Sequence, residues 1–472
     1  MSATFWIKAL EMILALGILV MIHEFGHYFF SRIFGVWVEK FYLFFNPWLT
    51  LVKWKPGKYV KWLSRGNEMA VMEDSDPNEN KRSWRATEYG IGWLPLGGYC
   101  SIAGMIDESM NTEAMKEPAK PWEFRSKPAW QRLLIMLGGV LFNFLLAIII
   151  YAGIVYSVGE EFIKFTDATD GMEFCDSARK VGFQDGDIPL TADGKTLEYM
   201  NSNDVQAILT AKQVTVLRGG KDTVSIPIPD NFIFMANEDA KNDQVFMFYR
   251  LPVVIAQVQP RMGAEKAGMR EGDRMVAVNG VATPTFTLFT SQLQKNKNST
   301  VTIQYERDGK LLTAANVPID GNGMLGILRA DPTKIYKTTT IRYNLLQSIP
   351  RGIELGWTKM VNYVKQLKYI FTPEGAQSLG GFGTIGSIFP DTWNWLGFWE
   401  ITAFISVILA VMNVLPIPAL DGGHVMFLLF EIITGRQPSL KFMEKAQMIG
   451  MALLIALLLF ANGNDIYRFF IK

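Results

Sequence analysis

Five residues inside an apolar stretch, His23-Glu24-Phe25-Gly26-His27, constrain this chain more than any other feature. Histidines four apart on a helix share one face, about 6 Å apart along the axis. Both imidazoles can therefore reach one ion at about 2.0–2.1 Å. Glu24 borders the same pocket, where a carboxylate can take a proton from metal-activated water. The chain has 3 histidines in all, and the last, His424, closes the run Asn413-Val414-Leu415-Pro416-Ile417-Pro418-Ala419-Leu420-Asp421-Gly422-Gly423-His424. Two imidazoles and a distant carboxylate, Asp421, make a three-ligand zinc site with an open fourth position. The bland alternative is a pair of packed histidines beside a capping glutamate. It is weak here, because an ionisable His-Glu-His cluster at membrane depth is costly unless used. His424 can be read as a fourth ligand or as a residue supporting the ligands, and the second reading keeps a position open for water.

Length and composition set the frame. At 472 residues the chain holds more than one domain. A hydrophobic fraction of 49% with mean hydropathy +0.14 fits a chain that is half membrane and half soluble. The net charge of +1 gives no reason to expect a nucleic-acid partner. Four segments are long and apolar enough to span a bilayer, at about Phe5 to Phe30, Leu133 to Val158, Trp395 to Leu415 and Met448 to Ala461. A cleaved signal peptide is the rival reading of the first, but no small-residue cleavage site follows it. Residues Pro416 to Ile433 are apolar yet broken by prolines and a Gly-Gly pair. They read as a broken or re-entrant stretch, tolerated at membrane depth only when buried in protein or lining a cavity.

Basic residues near the span ends predict the orientation. Lys53, Lys55, Lys58, Lys61 and Arg65 follow the first span, Arg125, Lys127 and Arg132 precede the second, and Arg436, Lys441 and Lys445 separate the third from the fourth. Those loops are expected in the cytoplasm, with the large segment 160–345 outside and both metal half-sites near the cytoplasmic face. Cys100 and Cys175 then fall on opposite sides of the membrane, so no disulfide is expected, and Cys100 reads as packing.

The outer segment repeats itself. Ala178-x3-Gly182-x3-Gly186-Asp187-x5-Asp193-Gly194 recurs, 86 residues on (268 − 182), as Ala264-x3-Gly268-x3-Gly272-Asp273-x5-Asn279-Gly280. The second copy matches the PDZ signature, with glycines at turn positions and a strand ending in an Asn-Gly turn. The first carries Pro189 where Met275 sits, which weakens its strand pairing. Between the first two spans, Val36 to Lys53 reads as aromatic-rich β structure. Leu94-Pro95-Leu96-Gly97-Gly98-Tyr99-Cys100-Ser101-Ile102 reads as a hairpin split by its Gly-Gly pair and dipping into the membrane beside the site. The polar residues 106–122 read as a flexible linker.

With both half-sites, the Gly-rich segment and the PDZ pair in hand, the chain resembles the bacterial site-2 protease family of the RseP type over nearly its whole length. The resemblance implies that His23, His27 and Asp421 are zinc ligands, that Glu24 is the catalytic glutamate, and that Asn413 holds substrate. Pro416, Pro418, Leu420 and Gly422 match the rest of the N-x-x-P-x-P-x-L-D-G pattern. Gly97, Gly98 and Tyr99, with Leu96, match the membrane-reentrant β-loop whose edge is implied to pair with an unwound substrate. The family's Gly-Pro-x-x-Asn appears here as Gly139-Val140-Leu141-Phe142-Asn143, without the proline, and its Ser-Gly-Pro-Ile as Gly380-Gly381-Phe382-Gly383. Both departures bear on substrate preference rather than on the zinc chemistry.

The expected fold class is a polytopic α-helical membrane protein with four transmembrane helices, membrane-associated β-hairpins and two inserted PDZ (mixed α/β) domains. Its expected parts are a first span with the histidine motif (1–35), a cytoplasmic-side membrane-associated β region and linker (36–129) and a second span (130–159). Two PDZ domains follow (160–250 and 251–330), then an amphipathic connecting segment (331–394). The third span with the Leu-Asp-Gly motif (395–433) and a cytoplasmic loop with the fourth span (434–472) complete the chain. The expected function is Zn2+-dependent cleavage of single-pass membrane proteins within the bilayer, as the second cut in regulated intramembrane proteolysis of anti-sigma factors already cut by a site-1 protease. Membrane lipids are expected partners, in a bacterial inner membrane with the PDZ pair on the periplasmic side. The PDZ pair is expected to filter out bulky uncut substrates rather than recruit them. The rival readings are a membrane-anchored PDZ scaffold and a zinc peptidase acting on soluble-domain substrates.

Overall fold

A computed structural model describes residues 3–65, 81, 83–95, 97–105, 118–241, 244–367 and 380–467. The chain divides into two compact units, Met1–Val158 with Tyr343–Lys472, and Gly159–Arg342. Residues 106–117, most of the expected linker, lie outside the described residues.

The first unit carries the apolar segments. Helices α1 (Ala3–Ile33), α2 (Ala129–Val158), α5 (Trp395–Val414) and α7 (Leu440–Ile466) are the four long apolar ones, each able to cross a membrane by length and composition. Helix is the form such runs take in lipid, because every backbone polar group must find its partner internally. Two further helices, α3 (Leu345–Gln366) and the short α4 (Phe382–Ser387), precede α5, and α6 (Asp421–Thr434) follows it. Ala147, Ile150 and Tyr151 of α2 pack against Ala403, Val407 and Val411 of α5. Helix α1 packs Ala15 and Leu19 against Phe389, Phe398 and Ile405. Only 11% of the apolar window of α7 is buried, and its Ile449, Leu453 and Leu459 are exposed, as suits a helix that faces lipid.

A five-stranded sheet follows α1, with strands β1 (Val38–Leu43), β2 (Phe45–Lys55), β3 (Tyr59–Arg65), β4 (Glu88–Leu94) and β5 (Tyr99–Ile102) in the order β3-β2-β4-β1-β5. This corrects the expected hairpin around Gly97-Gly98. The strands flanking the glycines, β4 and β5, do not pair, because β1 lies between them, parallel to β4 and antiparallel to β5. The glycines serve contact rather than a tight turn. A Cβ on Gly98 would come within 2.6 Å of Tyr42 O and 2.8 Å of Val20 Cγ1, so only glycine lets the segment lie against both β1 and α1.

The second unit has two large hydrophobic cores, one built from residues between Phe165 and Met247 and the other from residues between Val253 and Leu325, with a smaller cluster of Ile163, Ala168, Leu251 and Tyr336. Each lobe holds a four-stranded sheet of the same topology. In the first, Ile188–Ala192, Lys195–Thr196, Gln213–Arg218 and Asp222–Pro227 correspond in order to Arg274–Val278, Val281–Ala282, Thr300–Arg307 and Lys310–Pro318 of the second. The 86-residue repeat is thus structural. Asp193 and Asn279, at φ 48° and 50°, make the matching left-handed turns.

The repeat also contains an ion pair that sequence pattern alone did not pick out. Arg218 donates to Asp187 (Nε–Oδ1 2.8 Å, Nη2–Oδ2 2.7 Å) and to Gly182 O (2.9 Å). Arg307 repeats all three bonds to Asp273 and Gly268 O, at 2.7, 2.7 and 2.9 Å. The chain enters and leaves this unit on adjacent strands, Glu160–Ile163 pairing antiparallel with Thr338–Ile341.

Candidate metal centre

His23 and His27 lie on successive turns of α1, about 30 Å along the helix from its start at 1.5 Å per residue. Their rings meet edge to face with centroids 4.9 Å apart. Asp421 arrives from the other end of the sequence. Helix α5 ends at Val414 because Pro416 forces Leu415 out of the helical region, to φ −56° and ψ 140°. The chain turns through Ala419, at φ 76°, and restarts as a helix at Asp421. No side chain larger than hydrogen fits at Gly422 or Gly423, where a Cβ would strike the backbone of residues 414–418. At Gly450 a Cβ would strike the Pro418 carbonyl, so α7 closes directly over this turn.

The three side chains converge. His23 Nε2 lies 3.1 Å and His27 Nε2 3.3 Å from Asp421 Oδ2, and the two Nε2 atoms are 3.3 Å apart. They are the one cluster of His, Cys, Asp or Glu ligand atoms among the described residues that could hold a metal ion. A zinc ion in tetrahedral coordination at about 2.0–2.1 Å requires ligand atoms about 3.3 Å from one another. The triangle therefore has the size of one tetrahedral face. Asp421 Oδ2 is buried and makes no well-formed hydrogen bond, as expected of an atom kept for a metal. The residues fit zinc.

The surroundings fix the two rings. His27 Nδ1 lies 2.9 Å from Ile135 O of α2, and Asn143 Nδ2 of the same helix lies 3.4 Å from His23 Nδ1. Between those two positions on α2, Gly139 packs against both imidazoles. A Cβ there would come within 2.6 Å of His23 Nδ1 and of His27 Nε2. Glu24 is half-buried on the part of α1 that packs against β5, close to Cys100.

Comparison with known proteins decides the class. The model of Peptidase family M50 matches residues 11–65 and 77–457, most of the chain. The chain belongs to peptidase family M50. This M50 peptidase is 28% identical over 492 residues to a protein named Protease RseP of Yersinia pestis, covering 99% of this chain and all of the relative. It is 28% identical to a putative zinc metalloprotease of Neisseria meningitidis, covering 97% and 98% of the two chains. It is also 27% identical to the Regulator of sigma E protease of Haemophilus influenzae, again over 97% and 98%. It is a membrane zinc metalloprotease of the site-2 protease family, and its cofactor is Zn2+.

His424 is not in the ligand triangle. Its Nε2 lies 3.2 Å from Gln447 Nε2 of α7, which ties α6 to α7 behind Asp421. Asn413 sits half-buried in the last turn of α5. Tyr99 opens β5, stacks on Tyr42 at 5.1 Å and donates to Asn46 Oδ1 at 3.1 Å. Gly97 and Gly98 precede it, against the ring of Phe45 and the backbone of Tyr42.

The sequence marked Gly139 and Asn143 as the ends of the Gly-x-x-x-Asn motif and tied that motif to substrate preference. Their place against His23 and His27, and the part played by Ile135 O, came from the structure.

Proposed function

We propose that this peptidase hydrolyses peptide bonds within transmembrane segments of single-pass membrane proteins, with His23, His27 and Asp421 holding the zinc and Glu24 handling the protons. The observation that carries the reading is the convergence of those three ligand atoms between helices that are apolar along their length. When bound, zinc acts as a Lewis acid and makes water a nucleophile near neutral pH. The Glu24 carboxylate accepts a proton from the attacking water and delivers it to the leaving amide nitrogen. Ile135 O holds His27 by its far nitrogen, leaving Nε2 for the metal. The close backbone contacts at Gly422, Gly423 and Gly450 hold Asp421 in place.

A helical substrate hides its carbonyls in i to i−4 bonds and must unwind to be cut. β5 is the terminal strand of its sheet, and its Cys100 lies close to Glu24. A substrate added to that edge as a further strand would therefore pass beside the base. In this reading Gly97, Gly98 and Tyr99 shape the edge, and Asn413 holds the substrate near the scissile bond. The distribution of basic residues supports an inner-membrane orientation with the site towards the cytoplasm. The duplicated lobes 160–250 and 251–330, with matching turns and Arg–Asp pairs, support a PDZ tandem on the periplasmic side. Relatives named as regulators of sigma E support a place in sigma-factor control, and anti-sigma factors already cut by a site-1 protease are the substrate class proposed here.

The test is to reconstitute the purified protein, measure its zinc, and map cleavage of a single-pass substrate by mass spectrometry. Cleavage inside the apolar segment by the native enzyme, and none by a zinc-containing Glu24→Gln variant, is expected. Cuts confined to the soluble flanks would instead favour a membrane-anchored zinc peptidase acting on soluble domains.

A further inference from the structure

We propose that Asn143 is a positioning residue for His23, its amide oxygen accepting the Nδ1–H that exists once Nε2 is committed to zinc. The inference rests on the ligand assignment above and deepens it. A metal-bound imidazole carries its proton on the other ring nitrogen, and that N–H needs a fixed acceptor to set the tautomer and the ring plane. For His27 the acceptor is Ile135 O at 2.9 Å. For His23 the polar group in reach is the Asn143 amide, at 3.4 Å.

Asn143 is fully buried in α2, and its Oδ1 has no hydrogen-bond partner among the described residues. A buried acceptor left without a partner keeps the full cost of its desolvation. With Nδ2 towards the ring, two donors would face each other in the metal-bound tautomer. A half-turn of the amide exchanges its oxygen and nitrogen without changing the side chain's outline. That turn satisfies Oδ1 and supplies the acceptor for His23 Nδ1–H together.

The backbone is placed for the task. Ser406 Oγ of α5 donates to Asn143 O at 2.7 Å, which pins this turn of α2. Gly139, one turn earlier, leaves no room for the His23 ring to tilt towards α2. The competing account is an asparagine that merely fills space, in which case a leucine of similar volume would do as well.

The experiment compares the native protein with Asn143→Leu, Asn143→Asp and, as a control, His23→Ala. Zinc affinity is measured by competition with a chelator, and the coordination geometry from the visible spectrum of the cobalt-substituted protein. Loss of an outer-shell partner of this kind typically weakens a metal site about 10–100-fold. Asn143→Leu is expected to show that loss and a changed cobalt spectrum, while Asn143→Asp, which keeps an acceptor, stays within about threefold of native. Zinc affinity unchanged in Asn143→Leu would overturn the proposal. Equal losses in both Asn143 variants, with lowered melting temperatures, would overturn it too, by showing a structural role only.

Nitrogen-15 NMR of the histidine-labelled, zinc-loaded native protein needs no variant to fold. It should show His23 Nδ1 protonated and hydrogen-bonded, and a metal on Nδ1 would refute the assignment. If His23→Ala keeps stoichiometric zinc, the ligand reading itself has failed, an outcome distinct from failure at Asn143.

Discussion

Gly26 of α1 and Gly138 of α2 meet backbone to backbone, so closely that a Cβ on either would run into the other's carbonyl. The contact lies inside the histidine motif, between Glu24 and His27. The helix carrying the ligands and the helix steadying them are thus spaced by the absence of two side chains, the usual means of close approach between apolar helices. Gly26→Ala or Gly138→Ala should push the helices apart. The expected cost is about 1–3 kcal/mol, read as a lower melting temperature, together with weakened zinc retention. Gly139→Ala should act more locally, because its methyl meets the two imidazoles rather than a helix backbone. It should lose zinc with a smaller change in melting. If Gly139→Ala retained native zinc affinity, the rings would not be held as described.

Glu24 and Asp421 should separate metal binding from proton transfer. Glu24→Gln keeps all three ligand atoms and removes only the base, so zinc content should stay stoichiometric. The rate should fall at least about 10²–10⁴-fold, the usual contribution of general acid–base catalysis. Asp421→Ala should lose zinc and activity together. Stoichiometric zinc in Asp421→Ala would remove Asp421 from the site.

How far the sequence revealed this arrangement depends on whether the signal was local. The four-residue spacing of His23 and His27 and the long apolar runs follow from helix periodicity, and the four spans appeared close to where they were expected. The repeated glycines of the second unit were visible because left-handed turns select Gly and Asn. Sheet order was not legible. Gly97-Gly98 looked like a hairpin turn, yet β1, almost 60 residues upstream, lies between the strands it joins. The roles of Gly139 and Asn143 were equally hidden, because a glycine that makes room and an asparagine that holds a ring look alike in an apolar span until the facing helix is known.

The turn before Asp421 contains a testable strain. Ala419 is held at φ 76°, a region that costs a non-glycine residue about 1–3 kcal/mol. Ala419→Gly should relieve that cost, leaving zinc affinity and melting temperature unchanged or slightly raised. Ala419→Val should add the penalty of a branched side chain in a left-handed conformation and displace Asp421. Thermal melts and zinc titrations of the pair check this. Equal behaviour of the two variants would show that the turn does not govern the carboxylate.

The Arg–Asp pairs of the second unit predict a pH dependence. Burial alone would raise the Asp273 carboxyl, but hydrogen bonds from Arg307 and from the Arg270 amide outweigh it and hold the group below its ordinary value. A carboxyl lowered by folding contributes stability above its unfolded pKa of about 3.9, and that contribution is lost as the pH falls through the folded value. Asp273→Asn should therefore reduce hydrogen-exchange protection across residues 253–325 at pH 7, by about 2 kcal/mol for a hydrogen-bonded charge. The difference from native should shrink below pH 4. A gap that is constant from pH 7 to pH 3 would mean that the charge of Asp273 is not what matters.

The paired strands at the ends of the second unit make its removal feasible without stretching the chain. Glu160 pairs with Ile341, so the points where the chain enters and leaves are neighbours, and a few glycines can bridge them. Each lobe has its own core, and all three ligand atoms belong to the first unit. Excising 159–342 across such a bridge should therefore leave zinc content native. Cleavage then distinguishes two roles for the excised lobes. If they filter substrates by bulk, the shortened enzyme should cut single-pass substrates that keep large outer domains, which the native enzyme should refuse. If they dock a peptide, the shortened enzyme should cut long and trimmed substrates alike, both more slowly than native. Cleavage of neither form, with zinc retained, would show that the lobes support the active fold of the first unit, and the filtering role would be wrong.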